Sequence, residues 1–323
     1  MPGVIEKLIR RESGAQQVEF DSTLQSLWNG YGSIDRYTLG DFDPSSLIVK
    51  HVRMPNAKRH PRGWNSDLSH QRKLKSYQVE THWYRHYAAQ CDEACRVPEV
   101  HAVEQIGDET VMLMEDLDAS GFSLRKESVD FKKMSACLSW LAAFHARFMR
   151  CKPKGLWSVG SYWHLDTRPD EHRAMPDGAL KRYAVRIDQQ LKNAPYKTLV
   201  HGDAKLANFC FAESGDAVAA VDFQYVGGGT GMKDVAYFIG SCLDESECAH
   251  YEQDLLDVYF AHLKRQLQLC HPDIDAVDVE RSWRPLYAVA WTDFFRFLQG
   301  WSPGHWKIHR YSQQLADQVI ASL

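Results

Sequence analysis

None of the eight cysteines stands in a Cys-x-x-Cys pair, and no apolar run approaches the roughly 20 residues that a membrane-crossing helix needs. Neither sign of charge dominates: 38 Lys and Arg face 42 Asp and Glu, a formal net charge of −4 with His neutral. That balance argues against a nucleic-acid or general polyanion binder. The start, Met1 to Glu12, alternates charged and aliphatic side chains and lacks the apolar stretch of a signal peptide. The thiols are therefore expected to be reduced and the protein cytoplasmic, away from membranes. Internal repeats and low-complexity stretches are missing too. Aromatic residues, by contrast, make up 12% of the chain, too many for a disordered polymer, and 323 residues suffice for about two lobes. A monomer or weak dimer is expected.

The first fifth reads as strand and turn. The loop Asn29-Gly30-Tyr31-Gly32-Ser33 precedes an extended run, Ile34–Leu39. The turn formers Gly40-Asp41-Phe42-Asp43-Pro44 come next, and the apolar run Leu47-Ile48-Val49 then ends in Lys50. Two short runs around a Gly/Asp/Pro turn predict an antiparallel hairpin. Residues 54–75, polar and basic with Pro55, Pro61 and Gly63, predict a long loop. A helix is predicted from Leu74 to Gln90, where Tyr77, Glu80, Trp83, Tyr84 and Tyr87 recur at three- and four-residue spacing. Val97–Val103 and Thr110–Met114 predict two further strands. From Asp130 the period turns helical, with Met134, Leu138, Leu141, Phe144 and Phe148 on one face of Phe131–Met149. Two strand-like islands, Thr198–Val200 and Ala217–Val221, flank a polar loop, and residues beyond 245 predict about three more helical segments. Strand-rich before 115 and helix-rich after, the pattern is α+β rather than alternating βαβ.

The richest chemistry lies in His201-Gly202-Asp203-Ala204-Lys205-Leu206-Ala207-Asn208 and Val221-Asp222-Phe223-Gln224. An apolar strand delivers His-x-Asp, Asn follows that Asp by five positions, and a second strand delivers another Asp 14 residues later. Phosphoryl transfer needs such a set close together: one carboxylate to orient the attacking hydroxyl, and carboxylate and amide oxygens to hold Mg²⁺ on the phosphates of ATP. The spacing matches the catalytic loop and metal-binding Asp of kinases. By that analogy Asp203 is the base, Asn208 and Asp222 are the Mg²⁺ ligands, and Lys205 neutralises charge on the phosphoryl group. The bland alternative is a hydrogen-bonded β-turn.

The N-terminal half supplies the remaining parts independently. Lys50 ends an apolar strand, where an ammonium reaches α- and β-phosphates, and a solvated strand-end lysine is its other reading. Glu80 faces inward with Trp83 and Tyr84 and is the candidate partner that keeps a buried Lys50 charged. Gly30-x-Gly32, without the third glycine of a phosphate-binding fingerprint, reads by itself as a plain turn, and only in the first hairpin of a kinase-like lobe do its backbone amides cover phosphates.

These motifs resemble the aminoglycoside phosphotransferase/choline kinase superfamily, and within it the ecdysteroid kinase-like branch. Val111-Met112-Leu113-Met114-Glu115-Asp116-Leu117, followed by Gly121-Phe122, is similar to the hinge of that branch. So are Phe223-Gln224 and Asp234-Val235-Ala236-Tyr237-Phe238, while Trp140-Leu141-Ala142-Ala143-Phe144-His145 resembles its first large-lobe helix. The resemblance covers residues 25–245 and implies a bilobal protein-kinase-like fold, with an antiparallel-sheet N-lobe (1–115) and a mostly helical C-lobe (116–323). It implies an ATP- and Mg²⁺-dependent phosphotransferase acting on a small-molecule alcohol, with Glu115 and Leu117 at the nucleotide hinge. Lys205 departs from it, since those relatives carry an apolar or aromatic residue there. Choline, ethanolamine and aminoglycosides are alternative acceptors, and a nucleotide-binding pseudokinase scaffold is the alternative of another class. Only 11 residues separate Asp222 from Asp234, too few for a protein kinase's activation segment. Asp234 reads as a helix cap, with support of the catalytic loop as its second role.

Three surface features carry two readings each. Residues 50–75 hold eight Lys and Arg against the single acid Asp67, either a phosphate-steering flap or a solvated loop. Residues 241–257 hold six acids and no Lys or Arg, either a lure for a cationic substrate or a solvated helix face. Trp283, Trp291, Trp301 and Trp306, with Phe294, Phe295 and Phe297, form either core or an aromatic acceptor wall.

Overall fold

The computed structural model describes residues 2–27, 30–40, 44–53 and 67–323. Five antiparallel strands build one sheet: β1 (Val18–Ser26), β2 (Gly32–Leu39), β3 (Ser46–Val52), β4 (Val100–Ile106) and β5 (Glu109–Glu115), in the order β1-β2-β3-β5-β4. The expected hairpin is β2–β3, registered Ile34 opposite Lys50; residues 41–43 of its turn lie outside the described residues. β3 is central and buried along its whole length. Alternation sends Val49 to the outer face, where it packs with Leu47, Leu113 and the α1 (Pro2–Ser13) residues Ile5, Leu8 and Ile9. Lys50, one residue on, must then face inward.

Two elements differ from the sequence reading at the start. α1 is an amphipathic helix whose Ile5, Leu8 and Ile9 make one stripe. β1 is an edge strand exposed along nearly its whole length, so it carries no apolar alternation to read. A third correction concerns α2 (Asp67–His86), which begins seven residues before the expected Leu74 and ends four before Gln90. Its first turns hold Leu68, Gln71, Arg72, Lys73 and Lys75, strong helix formers whose charge imitates a loop. The remainder of the expected loop, 54–66, lies outside the described residues.

After β5 the chain is mainly helical: α3 (Phe131–Arg147), α4 (Pro169–Ala174), α5 (Ala179–Lys192), α6 (Met232–Cys242), α7 (Glu245–Cys270), α8 (Ala276–Trp283), α9 (Leu286–Trp301) and α10 (Arg310–Ala321). The segments beyond 245 are thus four rather than three. Four three-residue strands sit among them: β6 (Thr198–Val200), β7 (Phe209–Phe211), β8 (Val218–Ala220) and β9 (Gly227–Gly229). The two anticipated islands exist but do not pair with each other. β6 pairs with β9, and β7 with β8. Both pairings set polar loops side by side: 201–208 leaves β6, and 221–226 joins β8 to β9. One aromatic core runs from Trp83 on α2 through Phe223 to Phe144 and Trp140 on α3, tying sheet lobe to helical lobe.

Candidate active site

Lys50 and Glu80 are both buried, 4% and 1% exposed, and Nζ donates to Glu80 Oε1 at 2.6 Å. Burial alone would discharge the ammonium, but Glu80 and then Asp222 reverse that and raise its pKa. Lys50 Nζ also lies 4.0 Å from Asp222 Oδ1, so the strand-end lysine is paired rather than solvated.

The loop after β6 is built on hydrogen bonds. His201 Nε2 pairs with the Val221 carbonyl (2.9 Å), its Nδ1 accepts from Asp203 N (3.2 Å), and its ring packs on Phe223 at 4.5 Å. Gly202 has φ +79°, and a Cβ there would sit 2.1 Å from the Tyr225 carbonyl oxygen, so only glycine fits. Asn208 Nδ2 donates to the Asp203 carbonyl (2.7 Å) and to Asp203 Oδ2 (3.3 Å), where Lys205 Nζ also reaches at 3.3 Å. Lys205 and Asn208 therefore converge on the Asp203 carboxylate. Asp234 does not cap α6. Its oxygens accept from the His201 and Gly202 amides (2.5 and 2.9 Å), with His145 Nε2 3.1 Å away, so it supports the loop that follows β6. Helix N-terminal position and loop support look alike in sequence; the pairing of β6 with β9 decides between them.

Asp222 follows β8 in a left-handed conformation, φ +69°, which costs a non-glycine residue about 1–3 kcal/mol. The neighbours impose it: Phe223 stacks on Trp83 at 4.6 Å, the Gln224 carbonyl accepts from Trp157 Nε1 (2.8 Å), and Gln224 Oε1 accepts from Lys73 Nζ (2.7 Å) and Ser76 Oγ (3.3 Å). The two carboxyls are tuned apart. Burial raises Asp203, and the charge of Asp222 adds to it, against the pull of Lys205. Burial also opposes ionisation of Asp222, but Lys50, Lys73 and Lys205 outweigh it and hold that carboxyl below its ordinary value.

Gly30 and Gly32 lie at the β1–β2 turn with φ +78° and +129°; Asn29 lies outside the described residues. A Cβ on Gly32 would meet the His51 carbonyl oxygen at 1.8 Å. Between them Tyr31 is buried, its hydroxyl 2.6 Å from His70 Nδ1 on α2. Glu115 is turned away from the Lys50–Asp222 group: Oε1 accepts from Arg96 (2.5 Å) and Oε2 from the Glu99 amide (2.9 Å). Leu117 is buried with Cys210 and Ala219.

Several residues of the cleft escaped the sequence reading. Lys73, counted there only as one charge in a basic run, stands two helical turns before Glu80 on the same face of α2, a spacing that would have found it. Its ammonium is enclosed near Asp222, and burial lowers its pKa to about 8. Tyr162, Tyr237 and Lys307 surround Asp203 from distant segments, and no spacing links them. At least four of the six acids of the acidic run make structural contacts: Asp244 and Glu247 form the capping box of α7, Glu245 accepts from the Tyr311 amide, and Asp257 pairs with Arg284. His164, Asp166 and Asp188 lie within metal-binding distance of one another, but Lys192 Nζ, 2.7 and 3.0 Å from the two carboxylates, already supplies their cation. A cavity of about 200 Å³ adjoins β6 and β9 without including Asp203, Asn208 or Asp222.

The fold and the paired loops are those of the bilobal, protein-kinase-like class. The chain belongs to the ecdysteroid kinase-like family, whose model matches residues 45–155 and 164–271. No curated protein sequence matches it. Among solved structures it is similar to an amicoumacin kinase in complex with AMP-PNP, Ca²⁺ and Ami (13% identity, TM-score 0.57, 98% of this chain and 93% of that one). It is also similar to a choline kinase from Cryptosporidium parvum (9%, 0.57, 99% and 95%) and to a microcompartment-associated aminopropanol kinase (16%, 0.51, 99% and 93%). At these identities the likeness establishes the fold. Among the described residues no helix is long and apolar enough to cross a membrane.

Proposed function

We propose that the protein is a small-molecule kinase that transfers the γ-phosphate of ATP to an alcohol, with residues 1–115 as its nucleotide lobe and 116–323 as its catalytic and acceptor lobe. The observation that carries this reading is the geometry of the two loops, which set Asp203 against Asn208 and Lys205 and place Asp222 4.0 Å from a Lys50 that Glu80 fixes, because phosphoryl transfer needs one carboxylate for the attacking hydroxyl and one that holds a cation. Asp203 receives the hydrogen bond of the acceptor hydroxyl and takes its proton as the O–P bond forms and the bond to the bridging oxygen of ADP breaks. Lys205, 3.3 Å from Asp203, offsets charge on the moving phosphoryl group. Lys50, fixed by Glu80, faces the phosphates, and the Gly30-Gly32 turn and the Glu115–Leu117 hinge close over the nucleotide.

The donor set fits Mg²⁺. Asp222 Oδ1 is buried with no hydrogen-bond donor, and Asn208 spends its amide nitrogen on Asp203, which leaves its amide oxygen for a cation. Two oxygen ligands suit a hard divalent ion that keeps several waters. When bound, Mg²⁺ would neutralise charge across the β- and γ-phosphates.

The kinases for aminopropanol, choline and amicoumacin among the structural neighbours support a small molecule bearing a hydroxyl as acceptor. A scaffold without catalysis would have no need of Lys50, Glu80, Asp203, Asn208 and Asp222 together. The test is incubation with ATP and Mg²⁺ over a panel of choline, ethanolamine, aminoglycosides and hydroxysteroids, read by mass spectrometry for a gained phosphoryl group. Asp203→Asn is expected to lower turnover about 10²–10⁴-fold while nucleotide affinity stays within about twofold. Near-wild-type turnover by that variant would show that Asp203 is not the base.

A further inference from the structure

Beside Asp203 lies a cage whose occupant belongs to the chain itself. Lys307, in the segment between α9 and α10, places Nζ 5.1 Å from the ring centroid of Tyr237, 5.5 Å from Phe294 and 5.2 Å from Trp306. All three distances are within the range of cation–π attraction. Lys307 is 8% exposed. Burial lowers its pKa to about 8, and the charge of Asp203 pulls the other way. The rings face this cation where Lys50 has a carboxylate.

The cage adjoins the reacting centre. Tyr237 and Tyr162 share a hydrogen bond of 3.2 Å, and both feel the charge of Asp203. Tyr237 packs on Phe294 at 4.9 Å and Tyr162 on Tyr237 at 5.6 Å. Tyr237 and Phe294 are buried, whereas Trp306 is 58% exposed and makes the solvent-side wall. Arg168 adds a further cation on this flank, its guanidinium 5.8 Å from the Tyr162 ring, and its nearest carboxylate, Glu171, is already paired with it at 3.0 Å.

An aromatic cage of this kind next to a catalytic base would bind the ammonium end of a cationic alcohol. Here a tethered ammonium holds that place at high effective concentration, and it repels a second cation. We propose that Lys307 is a specificity-determining residue that excludes cationic acceptors, so that the alcohol phosphorylated by this chain is uncharged or anionic. The proposal rests on the kinase reading, because it takes the space beside Asp203 as the acceptor site.

Choline serves as probe. Its binding is followed by tryptophan fluorescence and calorimetry in wild type, Lys307→Ala, Lys307→Arg and the double variant Lys307→Ala/Trp306→Ala, with ADP·Mg²⁺ binding measured on each as the check of fold. Wild type and Lys307→Arg are expected to bind choline at least about tenfold more weakly than Lys307→Ala, and the double variant to lose the gain. Wild type binding choline as well as Lys307→Ala does, no gain in Lys307→Ala, or a gain that survives loss of Trp306 would each overturn the proposal. If wild type binds no ADP·Mg²⁺, it is the kinase reading that fails, and the choline series still decides whether Lys307 fills the cage.

Discussion

Asp203 and Asp222 have the same side chain and different surroundings, and the account depends on that difference. Asp203 is enclosed, with one ammonium at 3.3 Å; Asp222 lies among Lys50, Lys73 and Lys205. Burial lifts Asp203 above the ordinary aspartate value of about 3.9, so its protonation, not that of Asp222, should end activity first as pH falls. The kcat/KM profile is expected to lose activity on the acid side at a higher pH than an ordinary aspartate would give, the protonated carboxyl being unable to accept the acceptor's proton. A profile flat down to pH 4, measured with stability monitored in parallel, would contradict the assignment. At this scale the sequence was informative wherever neighbours along the chain settle the chemistry. The spacing of Asp203, Lys205 and Asn208 pointed to one loop, and the helical spacing of Glu80 with Trp83 and Tyr84 pointed that carboxylate inward, whereas the strand end left Lys50 open between pairing and solvent. Tyr162, Tyr237 and Lys307 were unreadable, because their meeting at Asp203 depends on how α6, α9 and the segment before α10 pack.

Single secondary-structure elements act here as carriers of chemistry. α2 presents Lys73, Ser76 and Glu80 on one face, and so binds both the DFQ-like loop, through Gln224, and the β3 lysine. α6 presents Asp234 to the amides of His201 and Gly202. Removing that carboxylate leaves two buried N–H groups and His145 without their acceptor, at about 1–3 kcal/mol for each orphaned group. Asp234→Ala is therefore expected to destabilise the fold by about 3 kcal/mol or more in urea unfolding, with turnover falling as well. A loss below about 1 kcal/mol would mean that the loop stands without it. A helix-capping role, the reading from sequence, predicts a cost of only about 1 kcal/mol. The early start of α2 escaped notice for a related reason. Arg72, Lys73 and Lys75 signal solvent by charge and helix by propensity, and only packing against Gln224 and Thr167 shows which governs.

The whole molecule joins a sheet lobe to a helical lobe through aromatic packing of Trp83, Phe223, Phe144 and Trp140. No cysteine is paired: Cys95, Cys137, Cys210 and Cys248 are buried, and Cys91, Cys151, Cys242 and Cys270 partly exposed. A thiol reagent such as Ellman's should thus label at most four cysteines readily in the native protein and eight after denaturation. Rapid labelling of all eight would contradict the packing described. The α+β division was visible in the change from strand to helix periodicity near residue 115. The pairing of β6 with β9 was not, since three-residue strands carry too little pattern to fix a partner. The central claim, a nucleotide site whose metal is held by Asp222, is tested most directly by calorimetric titration of ADP with and without Mg²⁺. Wild type and Asp203→Asn should bind ADP more tightly with Mg²⁺ present, and Asp222→Asn should lose at least about tenfold of that gain. Binding indifferent to Mg²⁺, or unchanged in Asp222→Asn, would contradict it.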